Sequence, residues 1–233
     1  MSEAVHATPP SAAARPAPPR EPSTLRLIAT LGLAGFFSGL AIVGVHALTL
    51  PRIEQNRRER LERAILTVLP GSRSFAVFVE RDGRLAPLDA EQAKQAGEPP
   101  IYAGFDAAGK LVGFALPGSE PGYQDAIHGI FGVDPARRLV VGFQVLESRE
   151  TPGLGDRILA EEWIAPNFRA LAIDPGIEAV AAGKKTAAHQ VETITGATIS
   201  SRAVVRMLQK ALERWRAGIE AYAAGAERAR RGE

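Results

Sequence analysis

The hydrophobic and polar positions along the chain change period several times, and each change marks an element. Leu27 to Leu50 has no polar face at all: it carries no charge, and its polar members are only Thr30, Ser38, His46 and Thr49. Its 24 residues would span about 36 Å as a helix, enough to cross a hydrocarbon core of about 30 Å with some tilt. Gly32, Gly35, Gly39 and Gly44 would weaken a soluble helix, whereas in a bilayer small residues let helices approach closely. The run is longer than the apolar core of a signal peptide, although Val45-His46-Ala47 loosely fits a cleavage site. From Arg52 a helical repeat sets in, with Ile53, Leu61, Ala64, Ile65 and Val68 at helical spacing and Pro70-Gly71 as the stop.

Beyond Ser74 the period shortens. Phe75 to Val79 reads as a strand. Ile101–Phe105 and Leu111–Leu116 flank Asp106-Ala107-Ala108-Gly109, and Ile127–Val133 and Leu139–Leu146 flank Asp134-Pro135, two hairpin signals. Asp156 to Phe168 reads as a helix. Ser201 to Ala223 is a second one, with Val204, Leu208, Leu212, Trp215 and Ile219 on one face. Hairpin strands with helices at the ends predict an α+β domain of antiparallel strands and flanking helices, behind one N-terminal transmembrane helix. The expected boundaries are a disordered Ala/Pro-rich tail over 1–24, a membrane helix over 25–50 and an amphipathic stalk over 51–70. The domain itself then covers 71–223, with a charged tail over 224–233.

Composition narrows the chemistry. Among 233 residues, 28 Lys+Arg against 26 Asp+Glu leave a net charge of +2, which does not suit a nucleic-acid surface. The chain has no cysteine, so disulfides, thiolate zinc sites and cysteine-ligated clusters are excluded. His6, His46, His128 and His189 are scattered and form no metal-binding pair. Redox chemistry in such a chain would need an organic cofactor. Gly183-Lys184 resembles the end of a P-loop, but Glu178 stands where its first glycine is required. Lys184 and Lys185 read as solvated charges.

Two stretches could carry a ligand. Glu150-Thr151-Pro152-Gly153-Leu154-Gly155 follows the Leu139 strand, and its Pro and Gly residues would bring backbone N–H groups close to a bound molecule. Taken alone, a tight strand-to-helix turn is the simpler reading. Glu192-Thr193-Ile194-Thr195-Gly196-Ala197-Thr198-Ile199-Ser200-Ser201 crowds hydroxyls just before the long helix. A helix N-terminus suits a phosphate, Ser200 or Ser201 would cap it, and a Thr hydroxyl there is placed to form a phosphoester. A Ser/Thr-rich cap with no ligand accounts for the same residues.

The second stretch resembles the Dxx(S/T)GAT motif of FMN-binding domains in membrane respiratory complexes, in which a flavin transferase links FMN through its phosphate to the final Thr. The matching residues are Thr195, Gly196, Ala197 and Thr198, with Glu192 in place of the Asp. The ETPGLG loop is similar to a second hallmark of those domains, about 45 residues earlier, with Ser148 where many relatives have His. With Gly122-Tyr123 and Trp163, this layout resembles the G subunit of the Rnf complex, an ion-translocating ferredoxin–NAD oxidoreductase. The C subunit of the sodium-pumping NADH–quinone reductase is the close alternative. The resemblance implies covalent FMN on Thr198, with Thr195, Gly196, Ala197, Glu150, Thr151, Leu154, Gly155 and Tyr123 around it. It implies one-electron relay with no turnover by the chain alone. The implied partners are the other membrane subunits, a flavin transferase for maturation, and membrane lipid.

Charge and resemblance disagree on orientation. Arg52, Arg57, Arg58, Arg60 and Arg63 outnumber Arg15, Arg20 and Arg26, which would place the domain in the cytoplasm. The resemblance implies a domain on the periplasmic side of the inner membrane. A membrane-tethered binding or structural protein, with the TGAT segment as a plain helix cap and no flavin, is the non-redox alternative.

Overall fold

The computed structural model describes residues 23–81, 84–88 and 99–231. The expected tail over 1–24 lies outside the described residues except for Ser23 and Thr24. The chain divides into two units, Met1–Glu54 and Gln55–Glu233.

In the first unit the described residues from Thr24 onward belong to helix α1, Thr24–Val68, which has Pro51 inside it. Its apolar side chains face outward: Leu31, Phe36 and Ile42 are each more than half exposed. The helix is long and apolar enough to cross a membrane. Two polar side chains within the apolar stretch are satisfied by the helix itself. The Thr30 hydroxyl donates to the Arg26 carbonyl at 2.9 Å and the Thr49 hydroxyl to the Val45 carbonyl at 2.8 Å, the local bonds that hydroxyls of helical Ser and Thr commonly make.

The second unit is built on an antiparallel sheet of seven strands: β1 Ser74–Arg81, β2 Arg84–Leu88, β3 Ile101–Phe105, β4 Leu111–Pro121, β5 Ala126–Asp134, β6 Leu139–Glu147 and β7 Leu171–Ala172. Their order is β2-β1-β3-β4-β5-β6-β7. Both expected hairpins form. The Asp106 carboxylate accepts the Ala108 and Lys110 N–H groups, and Gly109 takes φ 74 to close the first. The Asp134 carboxylate accepts the Arg137 N–H in the second. A parallel pair, β8 Glu178–Val180 and β9 Gln190–Glu192, lies apart from the main sheet.

The long helix expected over Ser201–Ala223 is α3, Thr198–Arg231, so 224–231 of the expected charged tail are helical. Its predicted face, from Val204 to Ile219, is buried against one side of the sheet. The last turns of α1, from the segment expected as a stalk, cover the other side through Ala64, Ile65 and Val68. Ile53, expected on that apolar face, is instead 48% exposed. Glycines make this second contact close: a Cβ on Gly132 would stand 1.9 Å from the Val68 carbonyl oxygen, and one on Gly142 would stand 2.8 Å from its Cα. At the other end of this stretch Arg57 pairs with Glu147 at 3.2 Å.

The helix expected over Asp156–Phe168 is two pieces. A 3-10 turn, Gly155–Leu159, ends at extended Ala160 (φ −73, ψ 130), and α2 runs Glu161–Phe168. Glu161 and Glu162 place negative charge in the first turn of the new helix, where the macrodipole favours it.

Candidate functional site

Because the sheet is antiparallel, the β4–β5 connection (122–125) and the segment after β6 lie at one end of it, opposite the hairpin tips. The N-terminus of α3 arrives at that same end. The three segments enclose a cleft of about 420 Å³.

Glu150 joins them. It is buried, 6% exposed, and both carboxylate oxygens point into the protein. Oε1 accepts the N–H groups of Tyr123 at 2.9 Å and Gln124 at 3.0 Å. Oε2 accepts the Ser200 hydroxyl of α3 at 2.6 Å. Burial penalises its charge, yet the Ser200 hydroxyl and the backbone N–H groups of Gln124, Tyr123 and Asp125 hold its pKa below the usual carboxylate range. The fit leaves no spare space: a Cβ on Gly122 would lie 2.4 Å from Oε1, and one on Gly155 2.5 Å from Oε2.

The loop after Glu150 is tied to itself. The Thr151 carbonyl accepts the N–H groups of both Leu154 and Asp156, at 3.1 and 3.3 Å. Gly153 takes φ 77, a left-handed conformation that glycine adopts without strain. The N–H groups expected to face a ligand from this loop are thus partly used within it. The Thr151 hydroxyl donates to the Gln124 side-chain oxygen at 3.2 Å.

The hydroxyls of the TGAT segment separate by availability. Thr193 and Ser200 are buried, and Ser200 is committed to Glu150. Ser201 is fully buried: it accepts the Ile194 N–H at 3.0 Å and donates to the Ala197 carbonyl at 2.8 Å. Neither serine stands at the cap position expected for it, because α3 starts at Thr198. Thr195 is exposed and Thr198 half-buried, and of these two Thr198 lines the cleft. Thr195 meets Arg157 instead, whose guanidinium donates to its carbonyl at 3.5 Å.

Eight of the nine expected site residues therefore line one cleft, Thr195 being the exception. Sequence reasoning missed Ile199 and the tie between Ser200 and Glu150. Both residues directly follow the motif's final Thr, but no spacing rule couples position 200 to position 150. Glu192, at the motif's acidic position, lies outside the cleft lining: its carboxylate accepts the Lys185 N–H at 3.2 Å, and its carbonyl accepts the Trp163 indole N–H at 2.6 Å.

The cleft's rim is apolar and exposed: Tyr123 is 70%, Leu154 51% and Ile199 52% exposed. At its head stand the first-turn N–H groups of α3, which have no helical partners. A ligand with an aromatic ring and a phosphate fits both halves of this lining.

Comparisons with known proteins agree. The FMN-binding domain family matches residues 122–213. The G subunit of the ion-translocating oxidoreductase complex of Pseudomonas aeruginosa is 33% identical over 218 residues, covering 89% of this chain and 95% of the relative. The G subunit of the Methanosarcina acetivorans complex is 26% identical over 190 residues, covering 81% and 92%. Among solved structures, Shewanella oneidensis NqrC has a TM-score of 0.57 at 22% identity, covering 71% of this chain and 94% of its own. The C subunit of the sodium-translocating NADH–quinone reductase of Parabacteroides distasonis has 0.58 at 20%, covering 72% and 96%. These two likenesses show the fold. With the cleft, the FMN-binding domain match and a relative aligned over nearly its whole length, the chain belongs to the family of G subunits of ion-translocating oxidoreductase complexes.

Proposed function

We propose that this chain is an electron-relay subunit of a membrane-bound ferredoxin–NAD oxidoreductase complex, and that its FMN is esterified through the phosphate to Thr198. The observation that carries the attachment is the sorting of hydroxyls: Thr198 alone in the segment combines partial exposure, a place in the cleft lining and the head of a helix. Esterification needs an activated donor. A flavin dinucleotide supplies it: the Thr198 oxygen–phosphorus bond forms, the pyrophosphate bond breaks, AMP leaves and the hydroxyl proton is released.

Bound there, FMN would supply single-electron chemistry. The protein's part is to hold and surround it. Tyr123, Leu154 and Ile199 offer apolar packing for the ring. The α3 N-terminus receives the phosphate, and Gly196 and Ala197 keep the approach open. Glu150 and Thr151, expected as polar contacts to the flavin, act one step back, by fixing the walls that do touch it. A covalent link retains the cofactor where free FMN would be lost, which suits a domain on the periplasmic face of a single membrane helix. The other subunits of the complex would supply and accept the electrons.

The test is direct. The chain is made with a flavin transferase, denatured, run on a gel and viewed for flavin fluorescence beside Thr198→Val. We expect a bright wild-type band and a dark variant. A bright Thr198→Val band would place the attachment elsewhere, and two dark bands would return the segment to a plain helix cap.

A further inference from the structure

Thr198, Arg202, Arg206 and Lys210 follow one another every four residues along α3. They therefore share a face, and each long side chain leans back over the preceding turn. Contacts fix both ends of this stripe. Thr198 lines the cleft. Arg206 reaches the end of β4, where Nε donates to Glu120 Oε1 at 3.0 Å and a second nitrogen donates to the Pro121 carbonyl at 3.3 Å. Lys210 Nζ takes the other Glu120 oxygen at 2.7 Å. Pro121 is followed by Gly122 and Tyr123, so this face of α3 looks toward the Tyr123 side of the cleft.

Arg202 stands between these two fixed points, one turn from each. It is exposed, and among the described residues no carboxylate lies within ion-pair distance of it, in contrast to the two basic residues beyond it. The charge balance calls for a cation at this place. Glu150 is held ionised beneath the cleft through Ser200. A phosphodiester on Thr198 would add a second negative charge within the same helical turn, and the helix terminus offsets only about half a charge.

We propose that Arg202 is the counter-ion of the phosphate carried on Thr198. This rests on the attachment proposed above. A guanidinium presents two parallel N–H donors, which match the two non-bridging oxygens of a singly charged phosphodiester.

The test uses the full chain in detergent, made with and without flavin transferase, as wild type, Arg202→Gln, Arg202→Lys and the remote control Arg137→Gln. Gel fluorescence is read first, and a dark wild-type band would overturn the attachment and this pairing together. With bright bands, Tm is measured for modified and unmodified forms at low and high salt, and the 31P resonance of the attached phosphate is recorded. We expect the wild type to gain thermal stability on modification, less so at high salt. Arg202→Gln should lose about 2–4 °C of that gain at low salt and shift the 31P line. Arg202→Lys should keep part of the gain and Arg137→Gln all of it. An Arg202→Gln chain with the wild-type gain and an unmoved 31P line would overturn the pairing while leaving the attachment standing.

Discussion

At the scale of single residues, Glu150 decides whether the cleft exists. One buried carboxylate is shared by the β4–β5 connection, its own loop and the first turn of α3. Removing the hydroxyl with Ser200→Ala leaves Oε2 buried without its donor and should cost about 2 kcal/mol, read as a lowered unfolding midpoint in urea. Its pH dependence follows from the lowered folded pKa. The contribution is fully present above the unfolded value of about 4.3 and is lost as pH falls through the lower folded value. Glu150→Gln should therefore be less stable than wild type at pH 7, and the gap should narrow as pH drops below about 4. A gap that stayed constant from neutral pH to well below that value would mean that the charge is not what holds the walls. Gly155→Ala should be as damaging as either, since its Cβ would press on the same carboxylate.

At the scale of elements, close backbone approach explains what composition leaves unexplained. The end of α1 rests directly on β5 and β6 because Gly132 and Gly142 present no side chain to Val68. Gly132→Ala should destabilise the second unit by about 1–3 kcal/mol through displacement of that helix end, visible as a lower Tm and as faster amide exchange around Val68. Much of this layer was legible in the sequence. Asp106 and Asp134 announced both hairpins by the same side-chain bonds that now close them. The apolar repeat from Val204 to Ile219 is the buried face of α3. β2 escaped because Pro87 stands within its five residues and argues against a strand; the rest was either too short or too distant. β7, β8 and β9 have two or three residues each, below any readable alternation. The break at Ala160 depends on backbone geometry that no residue type there demands. Residues of the TGAT and ETPGLG segments line one cleft, but the direction of the Glu150 side chain is settled by partners 27 and 50 residues away.

At the scale of the whole molecule, the chain pairs an apolar helix with a unit that has its own two-sided core. Both hydrophobic clusters of that core, one on each side of the sheet, lie within Gln55–Glu233. A chain starting at Gln55 should therefore fold and remain in solution, with a cooperative thermal transition, whereas the full chain should require detergent. A Gln55 chain that precipitated, or melted without a transition, would show that the unit depends on the helix before it.

The strand order also determines how the molecule behaves in a crowd. A sheet that is not closed into a barrel exposes a row of unpaired backbone groups at each border, and such rows invite other chains to add on. Among the described residues one border is β2, with Arg84 at its start and Pro87 within it; the other is β7, only two residues long. Proline has no N–H to offer a newcomer and a two-residue strand offers little register. Both borders are thus poor templates, and Pro87→Val should restore a continuous donor row along one of them. At concentrations where the wild type stays monodisperse in light scattering, that variant should begin to self-associate, strand edge to strand edge.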